Sequence, residues 1–156
     1  MRGNEFIRRV QEQAMLRFTY AVKLTRDRKD GGYVVSCRDI PEAITQGESV
    51  EDALSEAEGA LQAAIEGRIE DGMEITAPSA ARRGERMVPT PVTTALKAAV
   101  YAAMREQNVS KSELARRMHV HEKEARRMLD PSHPTKVPTL ERALAALGRR
   151  AEIAVS

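Results

Sequence analysis

Residues 30–61, DGGYVVSCRDIPEAITQGESVEDALSEAEGAL, leave the chain few ways to fold. They open on Asp30-Gly31-Gly32, where glycine takes positive φ at little steric cost and a tight hairpin can form. Tyr33 to Cys37 is a short run rich in strand formers. Ile40-Pro41 ends it, because proline brings no N–H to a ladder. Ile44 and Thr45 allow one more short strand before Gly47. Ser49 is placed as an N-cap, with Asp52 three residues on and Glu51 beside it near the positive helix end. Ala53, Leu54, Ala57, Leu61, Ala64 and Ile65 then recur at helical spacing and mark one buried face. The stretch predicts a hairpin, a short strand and a capped amphipathic helix.

Residues 16–27 supply the strand before it. Phe18, Tyr20, Val22 and Leu24 alternate with Arg17, Thr19, Ala21 and Lys23, so one face is buried and the other wet. That suits an antiparallel sheet covered on one side. Residues 26–30 read as a polar hairpin loop. Gly59 inside the helix costs roughly 1 kcal/mol relative to alanine, and Gly67 and Gly72 weaken the helix toward its end. Residues 73–76 allow a last short strand, and Pro78-Ser79 closes the unit.

This unit resembles the HicB antitoxin family. The likeness is carried by the N-terminal strand, by GGYVVSCRDIPEAITQGESVEDALSEAEGAL, and by the helix running into Gly72 and Pro78-Ser79. Its most specific part is D-[IL]-P-x-[AG]-x-[ST]-x-G, here residues 39–47, followed by a capped acidic helix. The resemblance implies a partial ribonuclease-H-like fold and a small toxin as partner.

With 156 residues the chain suits one ordinary domain or two small ones. Aromatics are only 3%, so aliphatic and alanine side chains must build the core. The single cysteine, Cys37, excludes an internal disulfide and is expected as a small buried hydrophobe. The first residues, MRGNEFIRRVQEQAM, carry charges but no apolar h-region, and no apolar run is long enough to span a bilayer. A protein of the reducing cytoplasm, with no membrane partner, is the expectation. Asn108-Val109-Ser110 matches a glycosylation sequon and reads there as chance.

Charge divides the chain. Residues 1–80 carry 10 Lys+Arg against 15 Asp+Glu, a net of −5, whereas residues 81–156 carry 15 against 8, a net of +7. An acidic half joined to a basic half suggests modules with different partners, the basic one facing a polyanion.

Residues 1–15 form an N-terminal extension that fits two descriptions. Phe6, Ile7, Val10 and Ala14 can line one face of a short helix; alternatively the segment is a frayed tail, or Met15 is the true start. Residues 80–91 read as a linker, with Gly84, Pro89, Pro91, three arginines and no periodicity, although Met87-Val88 allows a short edge pairing.

The second module, residues 92–156, is expected to be all helical. Thr93 or Thr94 can cap a helix with Leu96, Val100 and Met104 inside, and Asn108 can take the left-handed conformation at its end. Ser110 caps the next helix, with Glu113 at the capping-box position. Thr139 is expected to cap a last helix that buries Leu140, Leu144 and Leu147 and stops at Gly148, with Ile153 and Val155 as a terminal strand.

Residues 110–129, SKSELARRMHVHEKEARRML, fit a helix-turn-helix. Leu114-Ala115 provide an apolar and then a small residue at the crossing, Val120 follows the turn, and Ala125 and Met128 are buried three apart. His121, Glu122, Lys123, Arg126 and Arg127 form the outer face of the second helix, which in this motif enters the major groove. Arginine can read guanine and lysine mainly holds phosphate, so these residues, with Lys111, Arg116 and Arg117, are the expected DNA-binding set. Two departures stand out: His119 sits where glycine is usual, and His121 is a weak cap. The module resembles the lambda-repressor-like (Xre-type) domains attached to many HicB antitoxins, and LERALAALGRRAEIAV looks like their tail. The resemblance thus covers residues 16–156.

No catalytic site is expected. A ribonuclease-H-type centre needs clustered carboxylates to hold two metals, and the first strand carries none. His119 and His121 lack a cysteine or well-spaced carboxylates, so no metal or other cofactor is expected.

The sequence therefore predicts an α+β chain: a HicB-like domain over residues 16–79, antiparallel sheet plus helix, then an all-α helix-turn-helix domain. The resemblance implies an antitoxin whose N-terminal domain binds a HicA-type mRNA-cleaving toxin and whose C-terminal domain represses its own operon as a homodimer or higher homo-oligomer. Tyr33, Arg38, Asp39 and Glu42 are the toxin-contact candidates, with ordinary sheet surface and turn as the alternative. The rival is a stand-alone DNA-binding regulator whose N-terminal domain senses a ligand or only dimerises.

Overall fold

A computed structural model describes residues 15–156; the face formed by Phe6, Ile7, Val10 and Ala14 lies outside the described residues. The fold is α+β, a four-stranded antiparallel sheet with a long helix followed by a helical C-terminal region. Strands β1 (Thr19–Arg26) and β2 (Tyr33–Cys37) form the expected hairpin, registering Val22 with Cys37 and Leu24 with Val35. Gly31 and Gly32 hold φ of 79° and 74° at its tip, and Asp27 N–H closes it on the Gly32 carbonyl at 3.0 Å. Tyr20, Val22, Val35 and Cys37 are buried on one face; on the other, Lys23 and Ser36 are exposed, but Ala21, expected on the wet face, is buried at 1% exposure. Strand β3 (Thr45–Gly47) adds to β2.

Helix α1 (Val50–Glu70) begins as its sequence requires: the Ser49 hydroxyl accepts from Asp52 N–H at 3.0 Å, and the Asp52 carboxylate accepts from Glu48 N–H at 2.8 Å. Ala53, Ala57, Leu61 and Ile65 bury its inner face, with Leu54 and Ala64 at the margin. Gly47 is required here, because a Cβ on it would lie 2.3 Å from Ala53 N.

Two expectations about the next segment change. Residues 73–76 are not a strand. Residues 85–89, expected as linker with only a short edge pairing allowed at Met87-Val88, form that pairing and extend it into β4 (Glu85–Pro89), which pairs antiparallel with β1 from Thr19↔Pro89 to Lys23↔Glu85 and completes the order β3-β2-β1-β4. An edge strand needs partners on one side only. Val88 is its sole buried residue, so it carries no alternation, and proline is tolerated at its end.

The helical region comprises α2 (Val92–Gln107), α3 (Lys111–Met118), α4 (Glu122–Leu129) and α5 (Val137–Ala146). Asn108 and His119 are left-handed, with φ of 54° and 56°. Ser110 accepts from Glu113 N–H at 3.1 Å. Three cap and strand details differ from expectation. Pro91, not a threonine, stands at the N-cap of α2. Helix α5 starts at Val137 with Pro138 in its first turn, where a missing N–H is harmless, rather than at Thr139. Ile153 and Val155 are exposed and form no strand.

One continuous cluster of buried side chains runs from the sheet through α1 and α2 to α5. Leu96, Val100 and Met104 are buried as expected, and α2 buries a second stripe against the sheet unit. Along it, Thr94 donates to Glu66 at 3.4 Å, the Tyr101 hydroxyl to the Met73 carbonyl at 2.8 Å, and Arg105 to the Gly72 carbonyl at 2.7 Å. Among the described residues, no helix is long and apolar enough to cross a membrane.

Candidate functional site

The first surface belongs to the sheet unit. Of its four sequence candidates, Tyr33 starts β2 and is partly buried against the core. The other three are engaged inside the chain. Arg38 forms a two-pronged pair with Glu85 at 2.7 and 2.9 Å, and also donates to Ser79 Oγ and the Ala80 carbonyl at 2.8 and 3.0 Å. Asp39 accepts from the Ser79 N–H at 2.8 Å and from its hydroxyl at 2.9 Å. Glu42 receives the Arg68 guanidinium at 2.9 Å, while Arg68 also donates to the Glu74 carbonyl and Thr76 Oγ1 at 3.1 and 2.9 Å. These contacts strap the irregular residues 73–84 across the sheet unit.

Electrostatics follow this geometry. The Arg38 guanidinium and then the Arg82 backbone N–H hold Glu85 at about 2, from an ordinary 4.5. Hydrogen bonding to Arg68 lowers Glu42. Burial raises the Cys37 thiol and the Tyr20 phenol, whose hydroxyl donates to the Thr76 carbonyl at 2.9 Å. Neither group is in its reactive ionised form at neutral pH.

At the hairpin end lies a cleft of about 610 Å³ whose walls include Asp27, Asp30, Tyr33, Glu48, Asp52 and Glu56. Asp27 and Asp52 each accept local backbone N–H groups. Such a rim presents concentrated negative charge to a cationic partner. A second hollow of about 380 Å³ between residues 42–44 and the later half of α1 is lined by Ile44, Ala60, Ala64 and Met73 among others.

The second surface lies on α3 and α4, two eight-residue helices joined through residues 119–121. Leu114, Ala115, Met118, Ala125 and Met128 are buried, and Val120 is partly buried. All eight sequence candidates, Lys111, Arg116, Arg117, His121, Glu122, Lys123, Arg126 and Arg127, are exposed. Some are already partnered. Glu113 pairs with Arg116 and, at 3.0 Å, with Arg117, which also reaches the Ala146 carbonyl at 3.5 Å. Glu122 pairs with Arg126; a hydrogen bond from Ser112 of α3, and then the Arg126 charge, lower its carboxyl. Among the described residues, no carboxylate lies within ion-pair distance of Lys111, Lys123 or Arg127. Arg126 is 65% exposed, so its guanidinium can exchange Glu122 for an external acceptor.

Among the described residues, no group of three or more His, Cys, Asp or Glu is arranged to hold a metal. Asp27 and Asp30 lie in the hairpin loop, and Asp39 is tied to Ser79.

The sequence patterns do not single out Arg68 or Lys97, both buried. Lys97 Nζ donates to the Asp130 and His133 carbonyls at 2.7 and 2.6 Å. Burial lowers its pKa, opposed by the negative charges of Glu66 and Asp130. One signal for it was present: it is the lone charge in residues 95–104, ALKAAVYAAM.

Residues 19–99 match the family described as HicB_like antitoxin of bacterial toxin-antitoxin system. The matched segment includes β4 and the first half of α2. The chain is 38% identical over 134 residues to Antitoxin HicB 2 of Photorhabdus laumondii subsp. laumondii, covering 86% of this chain and 94% of that protein. It is 36% identical over 130 residues to Antitoxin HicB of Escherichia coli (strain K12), covering 83% and 94%. It is 33% identical over 139 residues to Antitoxin HicB of Pseudomonas fluorescens (strain Pf0-1), covering 88% and 94%.

Proposed function

The chain belongs to the HicB-like antitoxin family, and from that premise we propose that it neutralises a HicA-type mRNA-cleaving toxin by direct binding and represses its own operon. The observation that carries this reading is the extent of the likeness: the matches to named HicB antitoxins take in 94% of those proteins' length.

Toxin binding is assigned to the sheet unit. The net charge is −5 over residues 1–80 and −3 once residues 81–89 with β4 are included, a balance that suits a basic RNA-cleaving partner and speeds encounter. Arg38, Asp39 and Glu42 are occupied within the chain, so they shape the surface, and contact runs through Tyr33 and the acidic rim around it. Inhibition is steric and electrostatic, with no bond made or broken.

Operator binding is assigned to α3 and α4 as a helix-turn-helix of the lambda-repressor-like kind. Helix α4 enters the major groove, Arg126 and His121 meet base edges, and Lys111, Arg116, Lys123 and Arg127 hold phosphates. Glu122 orders Arg126 until DNA replaces it. A homodimer reads two half-sites about one helical turn apart or a multiple of it.

The test is isothermal titration of the full chain with a HicA-type toxin, the small basic protein that the proposal places in the neighbouring gene, using wild type and an Asp30→Lys, Glu56→Lys double variant. The proposal expects a tight complex for wild type and at least about tenfold weaker binding for the variant. No complex with wild type would leave the stand-alone regulator as the better description.

A further inference from the structure

Lys97 is 4% exposed, which a lysine tolerates only when its ammonium is satisfied. Its two acceptors lie just past α4. The Asp130 carbonyl belongs to the C-cap of that helix, and the His133 carbonyl to the turn that leaves it. A cation there meets the negative end of the α4 dipole. The pin spans 33 residues to Asp130 and 36 to His133, from the middle of α2, the helix shared by both halves of the core. One turn earlier on α2, Thr94 contacts Glu66 of α1. Helix α4 has only eight residues and three buried side chains, Ala125, Met128 and Leu129, to seat it. Apolar contacts resist withdrawal but set axial position loosely; two short charge-assisted hydrogen bonds, one to the C-cap carbonyl and one to the turn beyond it, fix where that end of the helix sits.

We infer that Lys97 is a positioning residue for the DNA-facing helix, its ammonium fixing the pose of α4 and with it the aim of Lys123, Arg126 and Arg127. This rests on the operator-binding reading. Lys97 itself touches no DNA, so its removal misaims base-reading side chains without deleting a phosphate contact.

The experiment uses the full chain with its own upstream operator and an unrelated duplex of equal length, each titrated over a range of salt at a temperature where all variants are folded. Lys97→Met is expected to lower the operator-to-unrelated affinity ratio by about tenfold or more, with the salt slope of the unrelated duplex unchanged. Lys97→Arg, which keeps charge and donors, is expected to recover part of the ratio. Arg127→Ala, in contrast, lowers the salt slope. A merely structural role would reduce melting temperature and leave the ratio of the folded protein alone. Lys97→Gln is the second neutral variant should Lys97→Met fail to fold. A wild-type ratio in either folded neutral variant overturns the inference, as does failure of both to fold, which would make Lys97 a stability residue. If wild-type protein shows no operator preference, the operator-binding reading fails and takes the inference with it; a wild-type preference retained in Lys97→Met defeats the inference alone.

Discussion

Arg38 and Glu85, 47 residues apart in the chain, meet in a two-pronged ion pair with contacts of 2.7 and 2.9 Å that joins the end of β2 to the start of β4. Glu85 titrates at about 2 in the fold against an ordinary 4.5. A depressed folded-state pKa contributes stability that is full above the unfolded value and is lost as pH falls through the folded one. Melting temperature is therefore expected to fall from about pH 4.5 toward about pH 2. Glu85→Gln should melt lower at neutral pH and lose part of that acid slope. Glu42, lowered by Arg68, acts in the same direction. Melts of both proteins across this range check it; identical acid slopes would contradict the role given to the pair.

Two glycines should respond oppositely to alanine. At Gly47 the new Cβ would lie 2.3 Å from Ala53 N and 2.5 Å from its Cα, both backbone atoms that cannot swing away. Gly47→Ala is expected to destabilise by about 1–3 kcal/mol. Gly59 is exposed inside α1, and a Cβ there meets nothing within 4 Å. Gly59→Ala is expected to stabilise by about 1 kcal/mol. Urea unfolding of the two variants gives both numbers.

A fragment of the sheet unit must reach past β4 to stand alone. Residues 1–80 lack Val88, which is buried opposite Tyr20, and lack Glu85, the partner of Arg38. A fragment ending at Gln107 retains both and the Tyr101 contact to Met73. The longer fragment is expected to give dispersed amide resonances and a cooperative melt, and the shorter one to lose both.

What was readable from the sequence is local. Ser49, Ser110, Asn108 and His119 act within three or four residues of themselves, so their roles follow from neighbours in the chain. The alternation of Tyr20, Val22 and Leu24 and the spacing of Ala53, Ala57 and Leu61 fixed faces for the same reason. What was not readable depends on distant partners. Strand β4 has one buried side chain and pairs with residues more than 60 positions earlier, so it carries no pattern of its own. Arg38, Asp39 and Glu42 look like a polar surface loop until Glu85, Ser79 and Arg68 are brought to them. Lys97 looks like a solvated lysine until the carbonyls of Asp130 and His133 surround it.

On the helical surface, Arg126→Ala should relax sequence preference at one base position, at a cost of about 1–3 kcal/mol on the cognate site. Arg116→Ala should weaken all DNA and reduce the salt slope by about one. Arg117, which also contacts Glu113 and the Ala146 carbonyl, should in addition cost stability when replaced by alanine. Operator and unrelated duplexes titrated over salt separate the three; an Arg126→Ala protein with undiminished preference would contradict the assignment of α4 as the reading helix.

The most direct measurement is co-expression of the full chain with a HicA-type toxin, the small basic protein that the account places in the neighbouring gene, scoring growth and co-purification together. Growth arrest by the neighbour alone, relieved by this chain with recovery of a stable complex, is the predicted result. Arrest that persists, or relief without any complex, would contradict neutralisation by direct binding.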